Sequence, residues 1–143
     1  MSKAKMNLNN VTVIYAKEED KKSTVSVSIT EAQRATIMEK IVSEFGEDAL
    51  EIADWTPVKE SEKNGLYVKA ATSYPVSFFE NGRESDDISS VDQIGRDALV
   101  DINISIGETK FRREKGFTAF LSAVNIREFG DTERYNPFVN IEE

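Results

Sequence analysis

From residue 99 to 106 the chain alternates without a break. Val100, Ile102, Ile104 and Ile106 fall on one face, and Leu99, Asp101, Asn103 and Ser105 on the other. A period of two with β-branched residues at every apolar position specifies a half-buried strand, because a helix would scatter those groups around its circumference. One strand with a wet face and a dry face cannot stand alone. The rest of the chain must supply a sheet and a core for it.

Further strands follow from the same pattern. Residues 11–16 are β-branched and apolar, and residues 17–22 form a charged turn. In residues 24–29, Val25, Val27 and Ile29 share a face opposite Thr24, Ser26 and Ser28, so the two segments read as a hairpin. The period changes at Thr30. Thr30 and Gln33 fit a capping box, Ile37, Met38, Ile41, Val42 and Phe45 recur at helical spacing, and Gly46 suits the C-terminal end. Trp55 follows the helix and reads as a plug between it and the sheet. Residues 58–64 are polar and end in the turn signal Asn64-Gly65. Residues 66–70 and 76–79 read as strands broken near Pro75, with at least one of Phe78 and Phe79 in the core. The loop 80–97 is long for a compact domain, hence functional or partly mobile. Residues 107–116 form a charged connection, and residues 117–126 a long strand with apolar groups on both faces.

The expected fold is mostly β with one helix: a small barrel of five to six strands, the helix lying between strands 2 and 3. Closure would remove exposed edges. One domain spans 1–130, opening with a polar arm at 1–10, and an acidic C-terminal tail spans 131–143.

Composition narrows the function. The chain has 143 residues, no cysteine and no histidine. Zinc and copper sites, Ser-His-Asp and Cys-His nucleophiles and disulfides therefore lack their side chains. Acid–base catalysis would need a perturbed carboxylate, Lys or Tyr, so the expectation is a binding protein without a cofactor or metal, not an enzyme. The pairs Glu18-Glu19 and Asp86-Asp87 lack calcium-loop spacing and read as solvated turns. No apolar run is long enough for a membrane span, and the first residues do not form a signal peptide, so the expected location is cytoplasmic. The formal net charge of −8 opposes simple coating of a polyanion, although a local basic groove can coexist with an acidic remainder.

Such a groove has a candidate. Lys110, Arg112, Arg113 and Lys115 are basic, with Phe111 and Phe117 interleaved. Cations that track phosphates beside aromatic faces that stack on bases are what single-stranded nucleic acid requires. The same residues also suit a solvated hairpin tip with both phenylalanines turned inward. Tyr67 and Lys69 share one face of their strand and suit a base and its phosphate, or a sheet edge with a wet hydroxyl.

The strand–helix–strand order and two stretches carry a resemblance. Residues 95–104 read Gly-Arg-Asp-Ala-Leu-Val-Asp-Ile-Asn-Ile. Residues 115–129 read Lys-Gly-Phe-Thr-Ala-Phe-Leu-Ser-Ala-Val-Asn-Ile-Arg-Glu-Phe. Over about residues 65–130 this pattern resembles the OB-fold single-stranded DNA-binding proteins of bacteriophages. The resemblance implies sequence-tolerant coating of single strands on one barrel face during replication or recombination, with Tyr67, Lys69, Lys110, Phe111, Arg112, Arg113, Lys115 and Phe117 in the groove. It also implies recruitment of replication or recombination proteins by the tail, through Tyr135, Phe138, Ile141, Glu142 and Glu143. This tail departs from the family in being only modestly acidic. The helix also sits earlier than that family usually has it. A homo-oligomer remains open. The competing reading is an acidic protein-binding module, an inhibitor of a host enzyme or a DNA mimic.

Overall fold

A computed structural model describes residues 4–130. Strand β1 (Ala4–Glu19) turns into β2 (Lys22–Ser28). Helix α1 (Glu31–Phe45) and a single turn α2 (Ala49–Ile52) follow. Then come β3 (Val58–Ser61), β4 (Gly65–Thr72), β5 (Ser77–Glu80) and β6 (Arg83–Glu84). A 3-10 turn (Val91–Gln93) leads to β7 (Leu99–Phe111) and β8 (Glu114–Glu128).

The eight strands lie in the order β3-β4-β2-β1-β7-β8-β5-β6, and an added parallel pairing of β4 with β8 closes a ring. Five strands (β1, β2, β4, β8, β7) thus form a barrel, as expected, of the OB-like kind. The helix interrupts the ring between its second and third strands, also as expected. The strand 99–106 is the backbone of this arrangement. Val100, Ile102, Ile104 and Ile106 are all buried, and β7 pairs with β1 on one side and β8 on the other.

The capping box at Thr30 is present in full. The Thr30 Oγ1 accepts from the Gln33 N–H at 3.1 Å, and the Gln33 Oε1 accepts from the Thr30 N–H at 2.9 Å. Helix α1 sends Ile37 and Ile41 into the same core as the barrel strands, while Met38, Val42 and Phe45 are partly buried.

Three expectations need correction. Residues 1–10 are not a polar arm from Ala4 onward. Ala4 and Leu8 are buried, and residues 4–8 pair with 102–106 of β7. The polar residues there, Lys5, Asn7 and Asn9, are simply the outward set of an alternating strand. The strand then bends at Asn10 (φ 55°), pairs with β7 again through Val11 and Thr12, and from Thr12 onward also pairs with β2. The polar stretch after Pro57 contains the short edge strand β3, which leads into the expected turn at Asn64-Gly65. Residues 107–116 are not a loop but a ladder of paired residues closed by a two-residue turn, Arg112-Arg113, with Arg112 at φ 58°.

The long segment after β5 is packed. Ile88, Val91, Ile94 and Ala98 from it are buried in the main core, and Phe78 supplies the expected buried aromatic. No helix among the described residues is long and apolar enough to cross a membrane.

Candidate functional site

Strand pairing lays out the barrel's outer face in rows. Tyr15 pairs with Ser26, and Ser26 with Lys69. One step along, Lys17 pairs with Thr24, Thr24 with Ala71, Ala71 with Phe120, and Phe120 with Ser105. Ser28 pairs with Tyr67. Residues in such a row point to the same side of the sheet. The middle of the face is thus built from short side chains (Thr24, Ser26, Ala71), while larger groups rise on either side: Tyr15 and Lys17 on β1, Phe120 on β8, with Tyr67 and Lys69 on β4. Short floor residues between taller flanks make a trough.

Two clefts lie along it. One, of about 370 Å³, is lined by Tyr15, Lys17, Glu19, Asp20, Lys22, Thr24 and Ser73. The second, of about 640 Å³, lies between the β4–β5 connection and the β7–β8 ladder, with Tyr74 and Phe120 among its walls. Lys22 and Ser73 line both, so the two are continuous.

The β1–β2 turn stands at one end of the trough. Asp20 (φ 52°) and Lys21 (φ 65°) form a two-residue turn with both residues left-handed, the type that matches strand twist. Lys17 is held by Glu19 at 3.0 Å, and that hydrogen bond, followed by the carboxylate charge, raises the lysine's pKa. The ammonium is therefore positive across the physiological range, but an incoming anion must compete with Glu19.

The β7–β8 tip carries the other predicted residues. Phe111 is 64% exposed, with the Arg112 guanidinium 5.3 Å from its ring centroid, within cation–π reach. By alternation Phe111 continues the face of Ser105 and Thr109. Lys110 and Lys115 sit opposite each other across the ladder, a like-charge pairing that costs stability and favours an anion nearby. Backbone contacts stitch residues 54–55 onto β8. The Asp54 N–H donates to the Lys115 carbonyl at 2.7 Å, and the Phe117 N–H donates to the Trp55 carbonyl at 3.0 Å.

Trp55 is held on that same face. Its indole occupies the space where a Cβ on Gly116 would stand, so only glycine fits under it. Its Nε1–H donates to the Thr118 Oγ1 at 3.3 Å, and Thr118 lines the larger cleft. The expected plug thus also touches the cleft's lining, through Thr118.

Of the predicted groove residues, Tyr67 and Lys69 lie on the trough face, and Phe111, Arg112 and Arg113 form the exposed tip. Phe117 does not belong with them. It is 2% exposed and packs against Phe45 in a tilted pair with ring centroids 4.8 Å apart, because alternation along β8 turns it inward. Sequence reasoning missed Tyr15, Lys17, Lys22 and Phe120. Tyr15 lies just past a register shift in β1, which hides its face, and Phe120 belongs to a strand apolar on both sides. The tail residues Tyr135, Phe138, Ile141, Glu142 and Glu143 lie outside the described residues.

A polar cluster pins the barrel elsewhere. The Asp101 carboxylate accepts from the Asn10 N–H (2.8 Å), from the Arg127 Nε (2.9 Å) and from the Asn125 Nδ2 (2.9 Å). The Asn125 Oδ1 in turn accepts from the Gly82 N–H at 2.7 Å. Burial pushes the Asp101 carboxyl up, but the hydrogen bonds together outweigh it and hold its pKa below the ordinary value.

No family model and no curated protein sequence matches the chain. Solved structures do. A single-stranded DNA-binding protein from bacteriophage Enc34 superposes with a TM-score of 0.68 at 14% identity, covering 98% of this chain and 90% of that one. The Enc34 protein in complex with ssDNA gives 0.65 at 14% identity, covering 90% and 88%. Gp2.5, a single-stranded DNA-binding protein encoded by bacteriophage T7, gives 0.66 at 10% identity, covering 92% and 96%. At these identities the likeness establishes a shared fold.

Proposed function

We propose that this chain binds single-stranded DNA without strong sequence preference, in phage replication or recombination. The observation that carries the reading is the continuous trough. It is floored by Thr24, Ser26 and Ala71, flanked by aromatic rings and lysines, and set between two hairpin tips on a barrel shared with a phage protein solved with ssDNA. The barrel face and the hairpin loops beside it are where OB-type barrels take oligonucleotides. Lys22, Lys69 and the Arg112-Arg113 tip would meet phosphates, and Tyr15, Tyr67, Phe111 and Phe120 would meet bases. Lys110 and Lys115 add positive charge behind the tip. The acidic surplus also fits, because much of it lies off this face. Glu31, Glu39, Glu44, Glu47, Asp48 and Glu51 are on α1, α2 and the segment between them. On this reading the setting is the host cytoplasm.

Titration with oligo-dT at two salt concentrations tests it, followed by Trp55 fluorescence. Trp55 is the single tryptophan, and it contacts a residue of the cleft. The expected outcome is quenching at low salt and an affinity that drops as salt rises, with a log–log slope of roughly −0.7 per phosphate engaged. No binding at low salt would overturn the proposal.

A further inference from the structure

We propose that the larger cleft is a seat for one nucleobase, turned out of the strand that the trough carries. This rests on the single-stranded DNA reading and deepens it. The cleft volume, about 640 Å³, falls within the roughly 300–1,000 Å³ of small-molecule sites. Tyr74 forms one wall and is 80% exposed. A ring so exposed contributes nothing to the core, yet its backbone is fixed. The Tyr74 N–H donates to the Thr72 Oγ1 at 3.1 Å, and Pro75 follows directly. The chain thus presents an aromatic face to solvent at the mouth of a cleft whose other aromatic lining is Phe120. Any base can stack on such a surface, since every base has a π-face.

The polar lining favours a neutral, hydrogen-bonding guest. Ser105 and Ser122 supply hydroxyls, which donate or accept as required and so suit any base edge. Among the described residues no carboxylate lines this cleft, and Lys22, the one cation of its described lining, stands where it meets the smaller cleft. The base would enter the neutral part while its phosphate stays by the lysine. This seat lies between the β4–β5 connection and the β7–β8 ladder, and the turn residues of neither hairpin tip line it.

The test is fluorescence anisotropy with labelled oligo-dT, using the full chain and the variants Tyr74→Ala, Tyr74→Phe and Ser122→Trp. Tyr74→Ala removes a wall, and Ser122→Trp fills the space. Both positions are exposed, and thermal unfolding verifies that each variant folds. Each of these two is expected to weaken binding about tenfold, within the range for one stacked base, while Tyr74→Phe stays within about twofold of the wild type. The salt slope stays unchanged, since no phosphate contact is lost. On an oligomer of abasic sites the gap between wild type and Tyr74→Ala closes. Wild-type affinity in both Tyr74→Ala and Ser122→Trp would overturn the seat alone, as would a gap that persists on the abasic oligomer. Failure of the wild type to bind any oligonucleotide would overturn the underlying reading and the seat with it.

Discussion

Phe111 and Phe117 flank the same two-residue turn, and alternation along the ladder sends them to opposite sides. Phe117 is packed on Phe45 in the core, whereas Phe111 stands in solvent beside Arg112. Truncating each should separate stability from binding. Phe117→Ala should destabilise the protein by about 3–5 kcal/mol in urea unfolding, as for a large buried aromatic. Phe111→Ala should change stability by less than about 0.5 kcal/mol, as for an exposed site. Its oligo-dT affinity should nonetheless fall. Equal stability losses in the two variants would refute the assignment of faces. Both residues were visible as an aromatic pair beside cations. Their opposite burial was not, because the register of the ladder that sorts them is set by pairing between distant residues.

At the scale of elements, legibility followed the strength of local signals. Helix α1 was readable because a cap, a periodic face and a terminal glycine agree within one segment. Thr30→Ala removes the side chain that accepts from the Gln33 N–H and should lower stability by about 1 kcal/mol, measured by chemical unfolding. An unchanged midpoint would show that the cap carries no weight. The strand β7 was readable at its core and not at its end. Its alternation is unmistakable through Ile106 and then continues through Glu108 and Lys110, where charge masks it. The first half of β1 was hidden in a similar way by Lys5, Asn7 and Asn9. Edge strand β3 shows no hydrophobic pattern, since what defines it is hydrogen bonding to β4. The trough floor was written in the sequence as Thr24, Ser26 and Ala71, but small residues become a floor only when β2 and β4 are brought side by side.

At the scale of the molecule, one carboxylate ties together parts of the chain far apart in sequence. Asp101 on β7 holds the bend of β1 at Asn10 and the side chains of Asn125 and Arg127 on β8. Its pKa is lowered in the folded protein, so the stability it adds is complete above the ordinary carboxyl value of 3.8. That stability is lost as the pH falls through the lowered folded value. Asp101→Asn should therefore cost about 1–3 kcal/mol at neutral pH. The gap between variant and wild type should narrow as the pH falls below the ordinary carboxyl value of 3.8. Unfolding curves for both proteins at several pH values would measure this, and a gap independent of pH would contradict it.

The pairing of residue 4 with residue 106 has a consequence for how the protein is made. During synthesis the first strand leaves the ribosome with its final partner still untranslated. The nascent chain can form the β1–β2 hairpin and the helix early, but half of β1 stays an open edge until most of the polypeptide has emerged. Closure of the ring is thus a late, concerted event, and chains stalled before β7 would display an adhesive strand. Lysine and asparagine at alternate positions of that strand give the waiting edge a polar side, which guards against pairing with a neighbour.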